Sequence, residues 1–89
     1  MSEAEYHDIV LNMAEYIAQF LEFRHSNRLF RYILKPMPTL EEIRNRYIKQ
    51  VPEEYRDVFE FELDCHYRIV TTNRRIIQDI NRDREKAGL

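Results

Sequence analysis

The stretch Pro52–Lys86, PEEYRDVFEFELDCHYRIVTTNRRIIQDINRDREK, predicts a single helix of 35 residues. At about 1.5 Å per residue it is roughly 50 Å long. Pro52 suits the first helical position, and Glu53 and Glu54 place negative charge at the positive end of the helix dipole. Residues 69–73 have poor helix propensity, but the apolar pattern keeps its phase across them. We therefore expect an unbroken helix around which the rest of the chain is arranged.

One face of this helix is apolar along most of its length. Stepping 100° per residue places nine apolar residues in one broad stripe: Val58, Phe59, Leu63, Cys65, Ile69, Val70, Ile76, Ile77 and Ile80. Three polar residues, Glu62, His66 and Asn73, fall in the centre of the same stripe. We interpret them as polar contacts that fix helix register or a dimer interface. The alternative is a proton-transfer pair or part of a metal site, because Glu62 and His66 can touch at their spacing of four residues.

A second helix is predicted over residues 3–24. Eight apolar residues share one stripe there: Tyr6, Ile9, Val10, Met13, Tyr16, Ile17, Phe20 and Leu21. Beyond it the apolar positions change sides, which predicts a bend or a restart of the helix at residues 25–27. Ser26 is the candidate N-cap of the restarted helix.

A short third helix follows two prolines. Pro36 and Pro38 end the preceding segment, and Thr39 and Glu42 form a capping box that starts a helix reaching to about Gln50. The composition agrees with an all-α domain over residues 1–89, since 44% of residues are hydrophobic and one is glycine. We expect a small bundle of three main helices, its two long helices antiparallel and joined by the short one, with the last residues frayed.

Charge is distributed in blocks of alternating sign. Residues 1–22 carry five acidic residues and no basic one, whereas residues 23–50 carry seven basic residues against two acidic ones. Residues 52–64 are again acidic and residues 65–89 basic on balance. Antiparallel packing of the two long helices places opposite blocks side by side, so this packing is our explanation of the pattern.

An excess of aromatic residues favours a partner surface. Phe61 and Tyr67 lie on opposite flanks of the long apolar stripe, and with Phe23 and Phe30 they exceed what one helical hairpin buries easily. A symmetric homodimer is the commonest way to cover such residues. The sequence therefore predicts a non-enzymatic protein-binding, regulatory or assembly module. Its candidate interface residues are Phe23, Phe30, Phe61, Tyr67, Glu62, His66 and Asn73.

Two other classes of function remain open. Arginines interleaved with aromatic residues around residues 23–47 are typical of nucleic-acid surfaces and also of protein hot spots. The arginines in question are Arg24, Arg28, Arg31, Arg44 and Arg46. A small helical enzyme using Glu62 and His66 is the second alternative. We predict no cofactor and no metal, since the Glu-x-x-His spacing of Glu22 and His25 occurs once and di-metal carboxylate sites need more.

The expected location is the cytoplasm. Cys65, the single cysteine, cannot form an internal disulfide, and the N-terminal residues lack a basic and apolar signal pattern. No apolar run approaches the length of about 20 residues that spans a bilayer. We therefore expect no membrane partner.

Overall fold

The structure, a computed structural model, describes residues 2–26 and 31–88, and the side chains of residues 2–22 and 34–88. The described residues form three α-helices: α1 (Glu3–Ala18), α2 (Leu40–Tyr47) and α3 (Arg56–Lys86). They also form two short strands, β1 (Phe23–Ser26) and β2 (Arg31–Leu34). Single 3-10 turns extend α1 at Gln19–Leu21, extend α2 at Ile48–Gln50 and precede α3 at Glu53–Tyr55. The small all-α class is confirmed, and α3 is continuous through residues 69–73.

The helices begin where the sequence places their caps. The Ser2 hydroxyl accepts a hydrogen bond from the Glu5 N–H at 3.2 Å, and the Thr39 hydroxyl accepts one from the Glu42 N–H at 3.2 Å. Such caps satisfy backbone donors that the first helical turn leaves free. Pro52 is extended rather than helical, so the α-helical part of α3 begins at Arg56, later than predicted.

The segment after α1 does not continue as helix, so the predicted restart at Ser26 is wrong. β1 and β2 pair antiparallel instead, with Phe23 opposite Leu34 and Ser26 opposite Arg31. Residues 31–34 contain an aromatic and a β-branched residue, which favour strands, and Pro36 stops any helix from extending further. The apolar spacing that predicted the restarted helix also included residues 29 and 30, which lie outside the described residues.

The two long helices are parallel, so the predicted antiparallel packing is also wrong. Tyr6, near the start of α1, bonds Glu62 near the start of α3, while the Arg74 guanidinium donates to the Phe20 carbonyl beyond the end of α1. The prediction had the short helix, α2, cross between the joined ends of the two long helices. It runs back along α3 instead, because Tyr67 donates to the Pro38 carbonyl at 3.2 Å and Arg44 pairs with Glu60. Two reversals of chain direction leave α1 and α3 pointing the same way.

The core lies between α1, α2 and the first half of α3. Its fully buried side chains are Met13, Ile17, Ile43, Val51, Phe59 and Leu63. The predicted stripe of α1 forms one wall, with Tyr6, Ile9, Val10 and Phe20 also buried. The second half of α3 extends past α1, and β2 lies against this helix. The molecule is consequently elongated, measuring 54 × 18 × 18 Å.

Candidate protein interface on the third helix

The candidate site is a row of apolar side chains on α3 that face solvent. Five of them are exposed, with fractional exposures from 39% to 69%: Val58, Phe61, Ile69, Ile76 and Ile80. Helical stepping places Val58 and Ile76 at the same angle, with Ile69 and Ile80 within about 40° of them. The half-buried thiol of Cys65 falls in the same row. We call Val58, Cys65, Ile69, Ile76 and Ile80 the α3 strip.

The α3 strip is separate from the part of α3 that meets the core. Phe59, Leu63 and Val70 are buried, and they cluster about 120° around the helix from the strip. The stripe predicted from the sequence was about 160° wide, broader than one packed face normally needs. It is therefore two stripes. The sequence placed Val58, Ile69 and Ile76 in the same stripe as the buried residues, and the width of the pattern was the signal that it contains two faces.

The polar residues Glu62, His66 and Asn73 lie along the seam between these two stripes. The Tyr6 hydroxyl donates to Glu62 Oε2 at 2.7 Å, and the Tyr6 ring stacks on Tyr55 with centroids 4.6 Å apart. Burial, together with the adjacent Glu62 carboxylate, raises the pKa of Tyr6 above its ordinary value. This hydrogen bond joins α1 to α3 and fixes their relative height.

The other two seam residues differ from Glu62 in their surroundings. His66 is half-buried, and the carboxylate four residues before it is held by Tyr6 across the helix interface. Asn73 is exposed and donates from Nδ2 to the Ile69 carbonyl of its own helix at 2.9 Å. Within the part of the chain that the structure describes, the polar seam therefore joins two helices at Glu62 and has an exposed end at Asn73.

The aromatic residues proposed for the interface separate into two groups. Phe61 is the most exposed of the apolar residues on α3 and adjoins the α3 strip. Tyr67 packs against the core, and its hydroxyl is bound to Pro38, so it faces α2 rather than solvent. The side chain of Phe23 and the whole of Phe30 lie outside the described residues.

The arginines of the nucleic-acid alternative are engaged within the protein where their side chains are described. Arg44 forms an ion pair with Glu60, and the Arg46 guanidinium lies 4.3 Å from the centroid of the Tyr16 ring. This is a cation–π contact, which uses the arginine and an aromatic residue together. The side chains of Arg24 and Arg31 and all of Arg28 lie outside the described residues.

Three further observations bear on the function classes. In the described part of the chain, no group of three or more His, Cys, Asp or Glu side chains is placed to hold a metal ion. None of the described helices combines the length and apolarity needed to cross a membrane. Compared with protein-family models, curated proteins and solved structures, the chain matches none of them.

Proposed function

We propose that this protein is a non-enzymatic helical module for protein association or assembly, and that it forms a homodimer through the α3 strip. The observation that carries the proposal is the row of exposed side chains from Val58 to Ile80, which at about 1.5 Å per residue extends over roughly 33 Å. Single exposed apolar residues are common on soluble proteins. A continuous row of them is typical of a protein-binding surface.

The energetics support the same proposal. Fully burying a Val, Ile or Phe side chain contributes about 1.5–3 kcal/mol. The side chains of the row are about half exposed, so each contributes roughly half of that when covered, and four or five in each of two copies together offset the cost of association. The core of the single chain is narrow, since the molecule is only 18 Å wide across its long axis. A second copy would therefore add an apolar layer to this narrow core.

The other two classes have less support. The described arginines Arg44 and Arg46 already serve contacts inside the molecule, and Glu62 is held by Tyr6 rather than by His66. Neither arrangement presents a free basic patch or a proton-transfer pair in the described residues. The cytoplasmic location stays part of the proposal and rests on the sequence alone.

The test compares two charged substitutions at equally exposed residues. Ile69 lies in the α3 strip and Leu11 lies on the outer face of α1, and both are 58% exposed. Ile69→Asp is expected to weaken association about a hundredfold or more, because a symmetric dimer carries the buried charge twice. Leu11→Asp is the matched control and should leave association unchanged. The measurement is the mass by light scattering and the dissociation constant by sedimentation equilibrium.

The unmodified protein should have twice the 11.0 kDa mass of one chain. A monomer at all accessible concentrations removes the homodimer from the proposal. A dimer that Leu11→Asp and Ile69→Asp weaken equally shows that another surface is used. Circular dichroism of both variants checks that each keeps its helices.

A further inference from the structure

The charge blocks along α3 are only partly explained by the fold of one chain, in which Arg44 of α2 pairs with Glu60. From Glu53 to Asp64 six acidic residues stand against one basic residue, and from Arg68 to Lys86 six basic residues stand against three acidic ones. The helix dipole accounts for charges only in the first and last turns of a helix. Because α1 is parallel to α3, it sets its own acidic half beside the acidic half of α3 rather than the basic one.

Four of these charges lie on α3 beyond Phe61, about 120° around the helix from the centre of the α3 strip. Helical stepping places Asp57, Asp64, Arg75 and Arg82 within about 20° of one another, on the side of the strip where Phe61 lies. Asp64 holds Arg68, and Arg82 holds Asp79, through exposed ion pairs on the same helix. Exposed pairs of this kind are weak, and each charged group keeps room for a second partner.

The order of these charges favours an antiparallel neighbour. When two identical helices pair antiparallel, the same flank of each faces the other, and an acidic half meets a basic half. With Ile69 opposite its own copy, Val58 and Ile80 face each other, since each is eleven residues from Ile69. The same alignment sets Asp64 against Arg75 and Asp57 against Arg82 to within one residue. In this register the apolar pair is Val58 with Ile80, the acidic residues lie level with arginines of the second copy, and Ile76 lies level with Glu62.

A parallel neighbour has the opposite electrostatics. It aligns the acidic start of α3 with the acidic start of its copy, and the basic end with the basic end. Like charges placed together at an interface disfavour that arrangement.

We propose that the α3 strip is covered by the α3 strip of a second copy of this chain, running antiparallel and centred on Ile69. This inference rests on the proposed homodimer and adds its geometry. The pairing of Val58 with Ile80 and the opposite net charges of the two halves of α3 favour a second copy as the occupant over an unrelated helix.

Disulfide trapping tests the orientation. In a Cys65→Ser background, one variant carries Val58→Cys and a second carries Ile80→Cys, both at exposed sites that tolerate the change. The two are mixed in equal amounts under mild oxidation, and the products are identified by non-reducing electrophoresis and intact mass. In the antiparallel dimer residue 58 lies beside residue 80 of the partner, whereas the two copies of residue 58 lie about 33 Å apart, too far for a disulfide.

The expected result is a disulfide between the two variants and none when either variant is oxidised alone. Disulfides within each variant alone show a parallel dimer, and a dimer without any disulfide shows pairing elsewhere. Both results overturn the antiparallel geometry. Light scattering on the Cys65→Ser protein distinguishes failure of the homodimer from failure of its antiparallel geometry. A monomer in that measurement contradicts the proposed function itself.

Discussion

The two faces of α3 carry the same kind of residue and have opposite surroundings. Phe59 is fully buried and Val58, the residue before it, is 51% exposed. Farther along, Val70 is buried and Ile69 is exposed. Adjacent residues on a helix point about 100° apart, so a helix with apolar residues at neighbouring positions presents two faces. In α3 one face holds the chain together, and the other is exposed, which is the face that we propose a partner covers.

The largest expected effect on stability comes from truncating Phe59, and the comparison is the same truncation at Val58. Phe59→Ala should lower the free energy of unfolding by about 3–5 kcal/mol, because it opens a cavity in the core. Val58→Ala should change it by no more than about 0.5 kcal/mol, as for exposed sites generally. Urea denaturation in the Ile69→Asp background measures the unfolding of single chains without a contribution from association.

A milder core variant keeps this comparison usable. Phe59→Leu retains an apolar side chain and should fold even where Phe59→Ala does not. The loss of unfolding free energy in Phe59→Leu should still exceed that in Val58→Ala. Equal losses at both positions contradict the separation of α3 into a core face and a partner face.

The three helices of this fold were largely predictable from the sequence, whereas the strands β1 and β2 were not. The apolar period indicated the extent of α3, and the capping residues Thr39 and Glu42 marked the start of α2. Local rules of this kind depend on residues a few positions apart. They do not determine how α1 and α3 are oriented, which depends on contacts such as those of Tyr67 with Pro38 and of Tyr6 with Glu62.

The candidate interface was only partly predictable for a related reason. Periodicity shows which residues are apolar but not which of them another helix covers. Phe61 was expected at an interface because it lay off the main stripe, and the structure places it in the open. Ile69 and Ile76 lay within the same stripe as the buried residues, although only about 100° of a helix is needed to meet its neighbours.

A smaller effect is expected at the seam, where Tyr6 bonds Glu62. Tyr6→Phe keeps the ring that stacks on Tyr55 and removes the donor to the carboxylate. The expected loss of unfolding free energy is about 1.5 kcal/mol, the lower end for hydrogen bonds to charged groups, because the pair is only partly buried. Tyr55→Phe is the control, since it removes a hydroxyl and keeps the stacked ring. A loss in the control as large as in Tyr6→Phe contradicts the role of this hydrogen bond.

The same hydroxyl predicts a dependence on alkaline pH. The pKa of Tyr6 is raised in the folded chain, whereas in the unfolded chain it lies near the ordinary 10.0. Below pH 10 the hydroxyl is protonated in both states, and its contribution is fully present. Above pH 10 the unfolded chain loses this proton first, so the contribution falls as pH rises toward the folded pKa. Unfolding titrations above pH 10 should therefore show a shallower decline in Tyr6→Phe than in the unmodified protein.

The smallest effect is expected at the exposed end of the seam, at Asn73. Asn73→Leu extends the apolar surface beside Ile69 and Ile76, so it should tighten the homodimer several-fold, while better helix propensity adds about 0.5 kcal/mol to the stability of the chain. Asn45→Leu, at an exposed position of α2, is the matched control, because it brings the propensity without the neighbouring strip. Sedimentation equilibrium separates association from stability. If Asn73 acts instead to fix the register, its replacement yields mixed oligomers rather than a tighter dimer, as loss of a polar residue does in coiled coils. If both leucine variants associate alike, this edge of α3 lies outside any interface and the partner face is narrower than the α3 strip implies.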